Sequence, residues 1–294
     1  MGINEANQLR ERIGPVGPDA DAQGPEVEID TRALSQEAAA RRARRRVVGV
    51  LAPVLTFGVL IGLWWALIAL FDVPLYLVPP PQDVLPALIS HWADLWANTL
   101  TTLGEIIIGY LITVAVGIPM GLALALSLSA RRVAYPVIVF IQLIPKIAIA
   151  PLFVIWFGYG MDSKVVLTML MTFFPLLLAS MAGFQILDER LLYLTRTMGA
   201  SPWQTFWKVR LPSALPVIFS GLKSAATLAT TAAIVAEFVG SNAGLGYRLL
   251  VASQYLDTPL IFAVLAILTV IGLGMNYAIE AIEYIAMPWK RLHE

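Results

Sequence analysis

Four ionisable residues fall inside long apolar runs of this chain: Glu105, Lys146, Lys223 and Glu237. A charge at that depth is costly unless it meets water, a counter-ion or freed helix carbonyls, so such residues are candidates for handling a polar solute. Covalent chemistry is not on offer. The chain has no cysteine and two histidines, so thiolate metal sites and Cys nucleophiles are excluded, and His91 alone makes no metal site. Gly221, Leu222, Lys223 and Ser224 end like a phosphate-binding loop but lack its upstream glycine, and they lie within an apolar segment. Neither H-E-x-x-H nor G-x-S-x-G occurs. The chain is expected to be no enzyme, with no catalytic residue, metal or cofactor of its own. Its functional residues should instead grip a partner and line a path.

The gripping set lies in residues 188–212, DERLLYLTRTMGASPWQTFWKVRLP, a polar and basic island between apolar runs. Gly199 stands where a helix C-terminus needs a left-handed residue. Ser201 follows as an N-cap with Pro202 at the first helical position, and Ser201 with Gln204 fits a capping box. Trp203, Phe206 and Trp207 recur at the i, i+3, i+4 spacing that puts three rings on one face. Pro212 is expected to stop this short helix.

The elements that must position these groups are membrane helices. The chain of 294 residues is 58% hydrophobic and 14% charged, with mean hydropathy +0.75, too apolar for an ordinary soluble domain. Six segments, near 47–71, 99–127, 133–157, 164–186, 213–239 and 259–286, are long enough to cross a hydrocarbon core of about 30 Å. The fold expected is therefore all-α and integral to a membrane, with residues 72–291 as a five-helix core after the first helix. Residues 1–46 hold eight acids and eight bases with few large apolar side chains, and read as a disordered tail ending in Arg41, Arg42, Arg44, Arg45 and Arg46. Orientation follows from the cations. That cluster shares one side with Arg131, Arg132, Arg190, Arg196, Lys208, Arg210, Lys290 and Arg291, against Lys164 and Arg248 on the other. Both termini and the 188–212 island are thus expected in the cytoplasm, and the Arg cluster also suits anionic lipid headgroups. On the outer side, residues 72–98 should hold a short interfacial helix with Trp92 and Trp96 on one face.

Candidates for the path are Gln142, Lys146, Thr227, Thr230 and Glu237. Pro145 and Pro151 interrupt the third segment, and Lys146 follows the first break. It either lines an aqueous route or satisfies carbonyls freed at the kink. The fifth segment is rich in Ser, Thr, Ala and Gly and reads as a closely packed, pore-side helix. Its Thr227, Thr230 and Thr231 either face the path or bond to the carbonyl one turn back. Lys146 and Lys223 are the candidate counter-ions for Glu105 and Glu237. Gly58-x3-Gly62 and Gly117-x3-Gly121 would suit close helix contacts.

Gly199, nine residues, then Val209, Arg210, Leu211, Pro212 resemble the G-x9-I-x-L-P half of the EAA loop, with which permeases of bacterial ABC importers dock on their ATPase. The Glu-Ala-Ala triplet of that loop reads Tyr193, Leu194, Thr195 here. IPKIAIAPLFVIWFG and AEFVGSNAGLGYRL are similar to permeases for nitrate, sulfonates such as taurine, and pyrimidine vitamin precursors. The resemblance, covering about residues 50 to 291, implies the type I importer permease architecture in a bacterial inner membrane. It also implies a homodimer of this chain, two copies of a separate ATPase that binds ATP and Mg, an extracytoplasmic binding protein, and no nucleic acid. ATPase coupling would fall to Gly199, Ala200, Ser201, Trp203, Gln204, Phe206, Trp207, Leu211 and Pro212, and the cargo would be a small anionic or heterocyclic solute. Two other readings are an ion-coupled secondary transporter using Lys146, Glu105 and Glu237, and a membrane scaffold.

Overall fold

The computed structural model describes residues 55–289 together with Ala52. The expected tail, its Arg cluster, the start of the first segment, Lys290 and Arg291 lie outside the described residues. Contacts divide the chain between Gly62 and Leu63, within the apolar helix Leu55–Phe71 (α1). Everything that positions the site lies from Leu63 onward.

Two helices follow α1: Pro81–Ser90 (α2), with proline in its first turn, and Trp92–Leu126 (α3). Trp92 and Trp96, expected on a separate interfacial helix, stack 5.9 Å apart in the opening turns of α3 itself. At 35 residues this helix is about 52 Å long, well beyond the roughly 30 Å of a hydrocarbon core. Only His91 separates α2 from α3, and the helical pattern resumes at once because nothing at Trp92 to Asn98 breaks it.

The third segment is a broken span. Leu128–Leu143 (α4) ends before Pro145, a 3-10 turn occupies Lys146–Ile149, and Ala150–Phe157 (α5) leaves at 73° to α4. Pro145 makes the break, since the residue before a proline is pushed out of helical geometry. Pro151 does not interrupt anything: it sits in the first turn of α5, where its missing N–H is no loss.

Met161–Gln185 (α6) is the centre of the bundle, packed most extensively against α3 and against Pro202–Gly240 (α8). Small residues allow this. A Cβ on Gly121 of α3 would stand 2.6 Å from Ser180 Cβ, and Gly117 meets Leu176, so the second glycine pair does lie at a helix contact. A Cβ on Gly58 or Gly62 meets nothing within 4 Å among the described residues. On α8, Ala225, Ala226, Ala229, Ala232, Ala233 and Ala236 are all buried, as the small-residue composition of that segment predicts.

The chain closes with Glu189–Thr197 (α7) before α8, then Leu245–Gln254 (α9) and Thr258–Ala286 (α10). Four helices, α3, α6, α8 and α10, are long and apolar enough to span a membrane, and the bent pair makes up to five among the described residues.

Candidate coupling and translocation sites

The 188–212 island folds at one end of α8. Asp188 caps α7, whose last turn closes with Ala200 N–H donating to the Thr195 carbonyl at 3.0 Å around Gly199, which takes φ +73°. Ser201 then opens α8 with both halves of the capping box made: Gln204 N–H donates to Ser201 Oγ at 3.2 Å, and Ser201 N–H to Gln204 Oε1 at 2.9 Å.

Pro212 does not end this helix, contrary to expectation. Over Phe206–Arg210 the helix widens by one residue per turn, with Leu211 N–H bonding to the Phe206 carbonyl, and it then continues to Gly240. A proline lacks the N–H and presses on the carbonyl four residues back, so a wider turn just before it relieves the clash without ending the helix. The Ser213 hydroxyl donates to the Val209 carbonyl at 2.8 Å, covering part of the backbone so displaced. The 39 residues of α8 therefore join the island to the opposite end of the bundle without a break.

The three rings of α8's first turns divide their work. Phe206 is half-buried and stacks on Phe184 of α6 at 6.3 Å, within a cluster that includes Ala214 and Ile218. Trp203 and Trp207 point outward, 70% and 50% exposed, and touch each other edge-on at 5.5 Å. Gln204 is exposed and Leu211 and Pro212 are half-buried. A cavity of about 610 Å³, lined among others by Leu122, Arg196, Trp203 and Arg210, lies between this segment and the end of α3.

At the far end, Glu237 is fully buried and serves as a cap. Its Oε1 accepts from Thr102 Oγ1 at 2.6 Å, and its Oε2 accepts from the backbone N–H groups of Gly246 and, at 3.2 Å, Tyr247 at the start of α9. Asn98 Oδ1 accepts from Gly244 N–H at 2.6 Å, and Thr102 Oγ1 accepts from Leu245 N–H at 2.8 Å. These donors are the unpaired N–H groups of a helix N-terminus, to which a carboxylate is suited. Gly244 is at φ +105°, and any Cβ there would run into the Glu237 carboxyl. The SNAGLG run is thus the loop that wraps the acid.

Neither Lys146 nor Lys223 neutralises Glu105 or Glu237. Lys164, expected as an outer-loop cation, sits in the first turns of α6, 4% exposed, with Nζ 3.2 Å from Glu105 Oε1, and the Glu105 carboxyl also lies beside that of Glu237. Lys223 pairs with Glu283 of α10 at 2.5 Å. Lys146 Nζ donates to the Gln142 carbonyl at 3.1 Å and stands 5.3 Å from the Phe174 ring centre, so it satisfies the kink, while the Gln142 side chain is exposed. The two ion pairs were hidden because each joins residues far apart in sequence, whereas Lys146 takes one of the two roles expected for it at the kink.

Thr227 and Thr230 do come together, in a cavity of about 480 Å³ between α8 and α10 that also takes in Thr231, Thr269 and Asn276. Glu237 and Lys146 are not part of its lining. The α10 contribution was overlooked, although Thr269, Gly272 and Asn276 recur at i, i+3, i+7 as the polar stripe of an apolar helix.

The chain is similar to a probable ABC transporter permease protein of Haemophilus influenzae, 40% identical over 79% of this chain and 95% of that protein. It is also similar to the formylaminopyrimidine transport permease ThiX of Halalkalibacterium halodurans, 36% identical over 84% of this chain and 99% of the relative. With the taurine transport permease TauC of Escherichia coli it shares 31% identity over 80% of this chain and 88% of that protein. A chain of the MetNI methionine ABC transporter, solved in an inward-facing conformation, shares the fold, with TM-score 0.57 and 20% identity over 67% of this chain and 97% of its own length. Residues 117–291 match the model of the binding-protein-dependent transport system inner membrane component, and the chain belongs to that family: it is an inner-membrane permease of an ABC importer, not an ion-coupled carrier or a scaffold.

Proposed function

We propose that this chain forms the membrane path of an importer whose ATP is bound and hydrolysed on a separate subunit docked at Trp203 and Trp207. The observation that carries this reading is the exposed tryptophan pair on the first turns of a helix that runs on, unbroken, to the hydroxyl-lined cavity and then to the Glu237 cap. Exposed adjacent tryptophans have the character of interface anchors. Both termini and residues 188–212 face the cytoplasm, and α1 completes six spans. Two copies of the chain enclose the path, each carrying one ATPase, and a binding protein delivers the solute at the Glu237 end. Closure of the ATPase pair draws the two Trp203 turns together. The following 35 or so residues, about 50 Å of helix, transmit that movement to the opposite gate. Gly199 and Ala200 set the angle at which α8 leaves α7, Ser201 and Gln204 fix its first turn, and Phe206, Leu211 and Pro212 tie that turn to the bundle. Thr227 and Thr230 line the path, whereas Glu237 and Lys146 hold the scaffold around it.

Affinity purification of the tagged chain, expressed with neighbouring genes and extracted in mild detergent, tests the docking site. A P-loop ATPase should be recovered in equal amount with the native chain and lost from a Trp203→Ala, Trp207→Ala variant. Full recovery and normal transport in that variant would refute the assignment.

A further inference from the structure

The cavity between α8 and α10 has an unusual chemical bias. Every hydroxyl in its lining spends its proton along its own helix: Ser224 to the Ser220 carbonyl at 3.0 Å, Thr227 to Lys223 at 3.2 Å, Thr230 to Ala226 at 3.3 Å, Thr231 to Thr227 at 3.4 Å, and Thr269 to Leu265 at 2.8 Å. A hydroxyl has one proton and two lone pairs, so each oxygen so engaged has only acceptor capacity left to offer. Turning one outward to serve an acceptor would strip a helix carbonyl of its second bond. The ammonium in the lining brings N–H donors of its own, but its charge is already paired. Lys223 is held 2.5 Å from the Glu283 carboxylate, so the wall offers no uncompensated positive charge to an anion at membrane depth. Asn276 alone adds an amide that both donates and accepts.

We infer that this cavity is the passage site for an uncharged solute bearing N–H or O–H donors, such as a small amino-substituted heterocycle, and that it disfavours anions that only accept hydrogen bonds. The inference rests on reading α8 as the wall of the path, and it narrows the cargo of that path to one of the two classes expected from the sequence.

The test uses the chain co-purified with its ATPase and placed in lipid nanodiscs, with ligand binding followed by saturation-transfer NMR. Formylaminopyrimidine is the donor-bearing probe and ethanesulfonate the acceptor-only probe. The native complex should bind the pyrimidine saturably and the sulfonate not at all. A Thr227→Val, Thr231→Val variant keeps side-chain shape and gives up two second bonds to helix carbonyls, so its melting temperature should fall only slightly. Its pyrimidine affinity should fall about tenfold, the equivalent of losing one or two net hydrogen bonds. Glu283→Gln, which frees the Lys223 charge, should make sulfonate binding appear. Saturable sulfonate binding by the native complex, no pyrimidine binding, or unchanged pyrimidine affinity in the valine variant would each overturn the inference. Failure of the ATPase to co-purify would instead count against the docking assignment, because the probes report on the cavity with or without it.

Discussion

The two ends of α8 handle polar and aromatic groups in opposite ways. At the Glu237 end the polar groups are turned inward on one another: the Glu237 carboxylate takes up Thr102 and two N–H groups of α9, Asn98 takes up a third, and Glu105 faces Lys164. At the Trp203 end two large rings stand in the open beside a Gly199 hinge whose Cβ position is empty space. Both ends drew attention in the sequence for the same reason, as groups out of place in an apolar chain. The difference teaches that an intramembrane charge is first a candidate for structure, because the cost of leaving it unpaired forces partners upon it. An exposed ring has no such obligation, and it marks a surface kept for something else.

The sharpest way to break this contrast is at the buried end. Glu237→Ala leaves the Gly246 and Tyr247 N–H groups without their acceptor, at about 1–3 kcal/mol for each group, so a few kcal/mol in all, while the Thr102 hydroxyl keeps the Asn98 carbonyl one turn back. The purified variant should melt far below the native protein in a detergent thermal-shift assay, or fail to accumulate. Lys164→Met should follow closely, since removing one partner strands the buried Glu105 charge at roughly 3–5 kcal/mol. A Lys164→Met, Glu105→Leu double variant should regain much of that loss.

At the open end the pattern reverses. Trp203→Ala with Trp207→Ala should leave the melting temperature within error while ATPase recovery and transport fall by more than about tenfold, as expected where each anchor contributes 2 kcal/mol or more to binding. Phe206→Ala sharpens the comparison, because its ring packs on Phe184 and its loss should lower stability as well as coupling. The smallest effect belongs to the hinge. Gly199→Ala forces a Cβ into the left-handed region at φ +73°, a cost of about 1–2 kcal/mol. It should reduce coupling, measured as uptake per ATP hydrolysed, by less than the tryptophan pair does.

The grammar of residues 199–207 was legible in the sequence because caps, hinge and aromatic spacing are local: the capping box and the left-handed Gly199 need only neighbours within a few residues. Pro145 likewise announced its own kink, and the small residues of α8 its close packing. Pro212 misled for an instructive reason. A helix can absorb a proline by widening a turn, and the bundle around α8 rewards that continuity. The partners of Glu105, Glu237 and Lys223 were beyond reach, since each of these side-chain pairings joins separate helices. Lys146 alone found its partner on its own chain segment, one turn back.

What the sequence determined by itself was therefore most of the long apolar helices, the capped and ring-bearing segment between two of them for which docking is proposed, and the kinship with importer permeases, all carried by composition, periodicity and short-range spacing. The tertiary structure decided which charges neutralise which, that the SNAGLG loop exists to wrap Glu237, and that the hydroxyls of α8 meet Thr269 and Asn276 of α10 across one cavity. Such choices depend on how helices distant in sequence are rotated and stacked. That rotation is set by the sum of many small packing contacts, and no single residue announces it.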